Sequence, residues 1–117
     1  AWHLRGICLA ESGEFREALE AHEEADQQLR ARGSGEVEAP LRAENALQAS
    51  RACVRLSRKG AGAAREEWLT KARHWLAVAV GSDPTFWAKA EADADVGPVA
   101  REMRAAALGA GKSWLLP

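Results

Sequence analysis

Large residues alternating with small ones at helical intervals restrict the fold of this chain more than any other feature. In the opening stretch AWHLRGICLAESGEFREALEAHEEA, Trp2, Gly6, Leu9 and Gly13 are spaced by four, three and four. That spacing returns to one face of an α-helix at every step. Ala18, His22, Ala25 and Leu29 repeat it on the next segment. Between the two runs, Ser12-Gly13-Glu14 reads as a turn, because Gly13 can adopt the left-handed conformation that ends a helix. Trp2 is expected to fill space, while Gly6 and Ala18 let two antiparallel helix backbones approach closely.

Composition supports helices throughout. The 117 residues are 47% hydrophobic and 28% charged, with only 6% aromatic, and Ala, Leu, Glu and Arg are strong helix formers. The expected class is all-α, in one small domain. Sixteen basic and 17 acidic side chains leave a net charge of −1. A nucleic-acid or anionic-membrane partner would call for a basic excess, so neither is expected. No apolar run approaches the roughly 20 residues of a membrane span. Cys8 and Cys53 lie far apart, and a cysteine-poor chain of this size points to a reduced, cytoplasmic setting. Each is expected to be a small core or groove residue rather than half of a disulfide or a metal ligand. The chain opens on Ala1 directly into helical pattern, which reads as a fragment or a processed form.

Further helices follow in order. The first is expected over about 1–11 and the second over about 14–31, followed by a break at Gly33-Ser34-Gly35. The third is expected over about 39–58, with Pro40 in its first turn, where a missing N–H is harmless. Ala46, Ala49, Cys53 and Leu56 form its stripe. The fourth is expected over about 63–80, where Trp68, Ala72, Trp75 and Ala79 again step by four, three and four. Gly81 should stop it. Asp83 is placed to cap a new helix, with Pro84 at its first position.

The opening stretch resembles a tetratricopeptide repeat (TPR). The family pattern runs Trp, two residues, Leu-Gly, two residues, Tyr, then Ala, three residues, Phe, then Pro. Trp2, Gly6 and Ala18 match it, as do Gly13 and Phe15 at the turn and the start of the second helix. Arg5 replaces Leu, as in the Arg-Gly variant of many bacterial repeats. Leu9 stands for Tyr, His22 for Phe, and Arg30 where the closing Pro would be. Helices three and four resemble a second, degenerate repeat. Ala52 takes the place of Gly and is followed by Cys53; Ala72 matches the second-helix alanine, and Pro84 closes the unit. Ala52 lies 46 residues after Gly6, against a family period of about 34. Insertions near the Gly33 and Gly60 turns would absorb the difference. Arg55 falls where an aromatic is expected. From Asp83-Pro84-Thr85-Phe86-Trp87 to Asp93-Ala94-Asp95-Val96-Gly97-Pro98-Val99, the chain resembles the segment that closes the last repeat in many such proteins.

The resemblance implies TPR-like helical hairpins in a right-handed α-solenoid with C-terminal capping helices. Repeat one would span 1–32, degenerate repeat two 39–82 and the cap 83–108, within a single domain of 1–108; 109–117 would form a flexible tail, in which Trp114-Leu115-Leu116 could dock. Phe86 and Trp87 would act as a lid over helices three and four. Asp95 would cap a last helix carrying Val99, Met103 and Ala106. Solenoids need such a cover, because the final repeat otherwise leaves an apolar face in water.

Chemistry-bearing motifs are sparse. His3, His22 and His74 fall on three different helices, and His22-Glu23-Glu24 lacks the second His of a zincin helix. His22 is expected to stand in for an aromatic, and His74 to lie at the surface or its boundary. Glu14, Glu17, Glu20, Glu23 and Glu24 read as a solvated face paired with Arg16 and Arg30. Asp93 and Asp95 read as helix caps, and Lys71, Arg73, Arg58 and Lys59 as a small basic cluster serving solubility. The tryptophans read as core, each contributing roughly 4–6 kcal/mol as an upper area estimate. Trp2→Ala or Trp75→Ala should then come close to unfolding a domain of about 5–15 kcal/mol net stability. There is no phosphate loop, nucleophile elbow or Cys-His ligand spacing, so neither enzyme activity nor a metal or cofactor is expected.

A binding module is therefore the leading expectation, holding a protein or peptide segment in a groove lined by the first helix of each pair. By resemblance the groove-facing residues are His3, Ile7, Ala10 and Glu11 from the first pair, and Ala49, Cys53, Leu56 and Ser57 from the second. The basic residues and Asn with which some TPR domains clamp a C-terminal carboxylate are replaced by His3 and Ile7, and a mostly apolar groove suggests an apolar or helical partner. The alternative is a C-terminal capping or regulatory segment of a larger multidomain bacterial protein such as a kinase; a small helical enzyme is a third. An uncapped N-terminal face would favour self-association.

Overall fold

The computed structural model describes residues 2–11, 13–33, 35 and 38–109. Among them are six helices and no strand: α1 (Trp2–Glu11), α2 (Phe15–Ala31), α3 (Glu38–Arg58), α4 (Gly62–Ser82), α5 (Phe86–Ala92) and α6 (Gly97–Gly109). The all-α expectation holds, and the first four helices lie within two residues of their expected bounds. The expected tail from 110 onward, including Trp114, lies outside the described residues.

Glycine sets the first reversal. Gly13 has φ +82°. Its N–H donates to the Ala10 carbonyl (3.0 Å) and the Glu14 N–H to the Leu9 carbonyl (2.9 Å). These are the paired bonds that satisfy the last carbonyls of a helix ending in a left-handed residue. Gly33, at φ +98°, follows α2 in the same conformation.

Helices adjacent in sequence pack side by side from α1 through α4, with α3 against α4 the most extensive contact; α1 also touches α3. Small residues explain the closeness of that central pair. Ala46, Ala49, Ala72 and Ala79 are fully buried, and the Ser50 hydroxyl donates across to the Ala72 carbonyl at 2.9 Å. Leu76, Trp75 and Val80 fill the remaining space. At the far end α5 and α6 pack on each other and on α4. Trp87, Val96, Val99 and Ala100 enter the same core, and Trp87 is the largest fully buried side chain.

The turns before α5 and α6 differ from expectation. Pro84 precedes α5 in a turn rather than opening it, and the Asp83 carboxylate accepts the Thr85 N–H and hydroxyl (3.1 and 2.6 Å). Asp93, not Asp95, organises the entry to α6, accepting the backbone N–H groups of Asp95 and Val96 at 2.8 and 3.0 Å. Asp95 is committed elsewhere. On α6 the inward position is Ala107, while Ala106 is exposed.

Trp2 also departs from its expected core role. It is 36% exposed, because among the described residues no helix covers its outer side; the Arg5 guanidinium lies over its ring at 5.1 Å. The only buried residue of α1 is Gly6. The carboxylates of α2 lie mainly in solvent, but Arg30 pairs with the buried Asp26 (3.0 Å), not with the glutamates.

Candidate functional site

Because α1 and α3 touch while α2 packs on both, an open cleft of about 400 Å³ forms between them. Ile7, Ala10 and Glu11 of α1 line one side. Phe15 lies at the start of α2, and Gln48, Arg51, Ala52 and Arg55 of α3 line the other side. Half of these eight residues are polar or charged, so the lining is mixed rather than mostly apolar.

The α1 residues Ile7, Ala10 and Glu11 thus share one cleft, but the residues named on α3 do not join them. Ala49 and Cys53 are fully buried and Ser57 is 3% exposed; Leu56 packs against the core. The cleft instead receives Gln48, Ala52 and Arg55, each one position earlier than Ala49, Cys53 and Leu56. One position is a rotation of about 100° at 3.6 residues per turn. The Ala46/Ala49/Cys53 stripe is consumed by the central packing, which turns the neighbouring stripe towards the cleft. Burial also pushes the Cys53 thiol up to about 12, so it is no nucleophile at neutral pH.

His3 is likewise outside the cleft, beside Trp2, Leu29 and Leu41 in a separate shallow depression. Its Nδ1 lies 3.0 Å from Asn45 Oδ1. His22 Nδ1 reaches the same oxygen at 2.8 Å, and the Asn45 amide donates to the His22 carbonyl at 2.8 Å. That last bond fixes the Asn45 orientation: its Oδ1 faces the imidazoles, so each Nδ1 carries the hydrogen. The two rings meet edge-on at 5.5 Å between centroids. Fully buried, His22 ties α2 to α3 through Asn45.

Beyond the cleft, Arg51, Arg55 and Arg58 converge on two carboxylates from the turn before α6. Asp95 accepts from Arg55 (2.9 and 3.0 Å) and Arg58 (2.7 Å). Arg51 Nε lies 3.3 Å from Asp93 and 3.8 Å from Asp95. Burial alone would raise the Asp95 carboxyl, but the two guanidiniums hold it below its ordinary value. Arg55 and Lys59 also sit over the Phe15 ring at 5.4 and 5.2 Å. The basic cluster expected from Lys71, Arg73, Arg58 and Lys59 is dispersed: Lys71 lies over Trp68, Arg73 bonds Thr70 and Arg58 serves Asp95.

Sequence reasoning missed Asn45 and the Arg–Asp cluster. Arg51, Arg55 and Arg58 at i, i+4 and i+7 are legible as one helix face, but their acids lie some 40 residues away. Among the described residues, no group of three or more His, Cys, Asp or Glu is placed to hold a metal ion, and no helix is long and apolar enough to cross a membrane. No family model, curated protein or solved structure matches this chain.

Proposed function

We propose that this protein is a TPR-like interaction module that holds a segment of a partner protein in the cleft between α1 and α3. One observation carries the reading: the first helices of successive hairpins face each other across a cleft of about 400 Å³ that the described residues leave open, with Ala52 and Phe15 at the edge of the core forming its floor. Ile7, Ala10, Phe15 and Ala52 offer an apolar seat. The guanidiniums of Arg51 and Arg55, partly engaged by Gln48 and Asp95, bring positive charge beside it, and Glu11 an acceptor. The segment that fits presents one apolar side chain flanked by hydrogen-bond acceptors. A buried apolar anchor with a polar rim is how small interfaces gain affinity. Solenoid stacking of the hairpins, with α5 and α6 as the terminal cover, belongs to the same reading.

A displayed random-peptide library tests it. Wild-type protein should enrich a common motif with an apolar anchor, and Ile7→Arg, which fills the cleft from the half-buried α1 side, should lose those peptides while keeping its helical circular dichroism. No enriched motif, or equal capture by the folded variant, would overturn the reading.

A second reading, a capping segment that stacks on further helices or on a second copy, draws on a different observation. Among the described residues, three of the four exposed large apolar side chains, Trp2, Leu4 and Leu41, lie on α1 or α3, and only Leu108 lies on α6, whose other face closes over Trp87 and Val96.

A further inference from the structure

We infer that His22, Asn45 and His3 form a proton-sensitive latch that holds α1 against α2 and α3 at neutral pH and releases it in acid. The geometry of His22 carries this. The ring is fully buried, and its Nδ1–H is used by Asn45. Its Nε2 has no hydrogen-bond partner among the described residues. Instead it abuts the backbone of α1: a Cβ built on Gly6 would lie 2.7 Å from both Nε2 and Cε1. Neutral imidazole tolerates this arrangement, because its bare Nε2 lone pair loses only one acceptor's hydration. An imidazolium carries a second N–H and needs a second acceptor, and the site supplies one oxygen for two rings.

Surrounding charges do not relieve the added proton. Across from His22, α1 contributes the imidazole of His3, which shares the Asn45 oxygen and brings no negative charge. From α3 comes the neutral amide of Asn45, with Glu44 beside His3 already bonded to Lys89 of α5 at 2.5 Å. One turn further along α2, Asp26 is held by Arg30 and Arg42 at 3.0 and 2.9 Å. Desolvation, outweighing the Asn45 bond, holds the His22 pKa below its ordinary 6.5, and His3 adds to that direction.

Moving α1 away is the least costly escape. That helix has ten residues and one buried position, Gly6, the residue lying on His22. A helix this short is marginal without tertiary support, and segments with few buried contacts open at low free energy. Undocking α1 hydrates His22 and removes the Ile7, Ala10 and Glu11 wall of the cleft. The latch stands whether or not the cleft takes a ligand.

Hydrogen exchange by mass spectrometry, corrected for intrinsic rates, tests it between pH 7.5 and 5.0. Peptides covering α1 should lose protection severalfold at the acid end, while those in α3 and α4 keep theirs. His22→Phe, which fills the slot with a ring that cannot titrate, should leave α1 protection flat with pH. A flat wild-type profile, a parallel loss in α1, α3 and α4, or an unchanged acid step in folded His22→Phe would each overturn the latch.

Discussion

At the residue scale, the buried polar groups decide how the protein responds to acid, and they do so in two windows. His22 has a lowered pKa in the folded state. The unfolded chain therefore binds its proton first, and the stability tied to neutral His22 is complete above about pH 6.5 and drains away as pH falls below that. Asp95 and Glu44 are also lowered, from 3.8 and 4.5. Burial opposes ionisation at both, but the Arg55 and Arg58 bonds at Asp95, and the Lys89 and Gln48 bonds at Glu44, prevail. Their contribution is complete above those values and is lost only in stronger acid. Urea midpoints followed from pH 8 to pH 3 should therefore fall in two separated steps, with His22→Phe flattening the upper one alone. Asp95→Asn should lower unfolding free energy by about 2 kcal/mol at pH 7, since hydrogen bonds to charged groups are worth about 1.5–3 kcal/mol and the arginines here are partly solvated. Equilibrium denaturation at pH 7 and pH 3 checks it: the difference between variant and wild type should shrink in acid.

Among the elements, α1 and α5 hold their tryptophans differently, and only Trp2 departs from the expected core role. Trp87 of α5 is 1% exposed and Trp2 of α1 is 36% exposed. Trp87→Ala should cost about 3–5 kcal/mol, as large-to-small core substitutions do, and Trp2→Ala less than about 1 kcal/mol; paired thermal melts separate them. Gly6→Ala tests the α1–α2 crossing. Helix propensity alone favours Ala by about 1 kcal/mol, but the new methyl would meet a buried His22 ring that Asn45 holds in place. Overpacking of this kind costs about 1–3 kcal/mol, so the variant should be less stable, with the added hydrogen exchange confined to α1.

Taken whole, the molecule is a slab measuring 39 × 38 × 21 Å, its thin dimension about two helix diameters. Its two ends differ. The α5–α6 end buries Trp87, Val96 and Val99 and exposes Leu108 of α6, while Trp2, Leu4 and Leu41 are exposed at the other. Exposed apolar clusters of this kind mark association surfaces. Sedimentation velocity should show concentration-dependent mass for the wild type, suppressed by Leu4→Glu with no change in thermal midpoint.

Helix order and boundaries, the Gly13 reversal and the Ala46/Ala49/Cys53 stripe were legible in the sequence because local steric preferences and 3.6-residue periodicity write them there. On the α1 side, Ile7, Ala10 and Glu11 follow from the resemblance to a helical repeat, not from periodicity, and His3, expected with them, lies elsewhere. Which face of α3 completes the cleft was decided by tertiary packing: α2 and α4 compete for the small-residue stripe, and their contacts leave Gln48 and Arg55 half-exposed at the cleft with the buried Ala52 at its floor. The partners of Asp95 and the burial of His22 over Asn45 were decided there too, since a charge or an imidazole names no partner until helices some 20 to 40 residues apart are brought together.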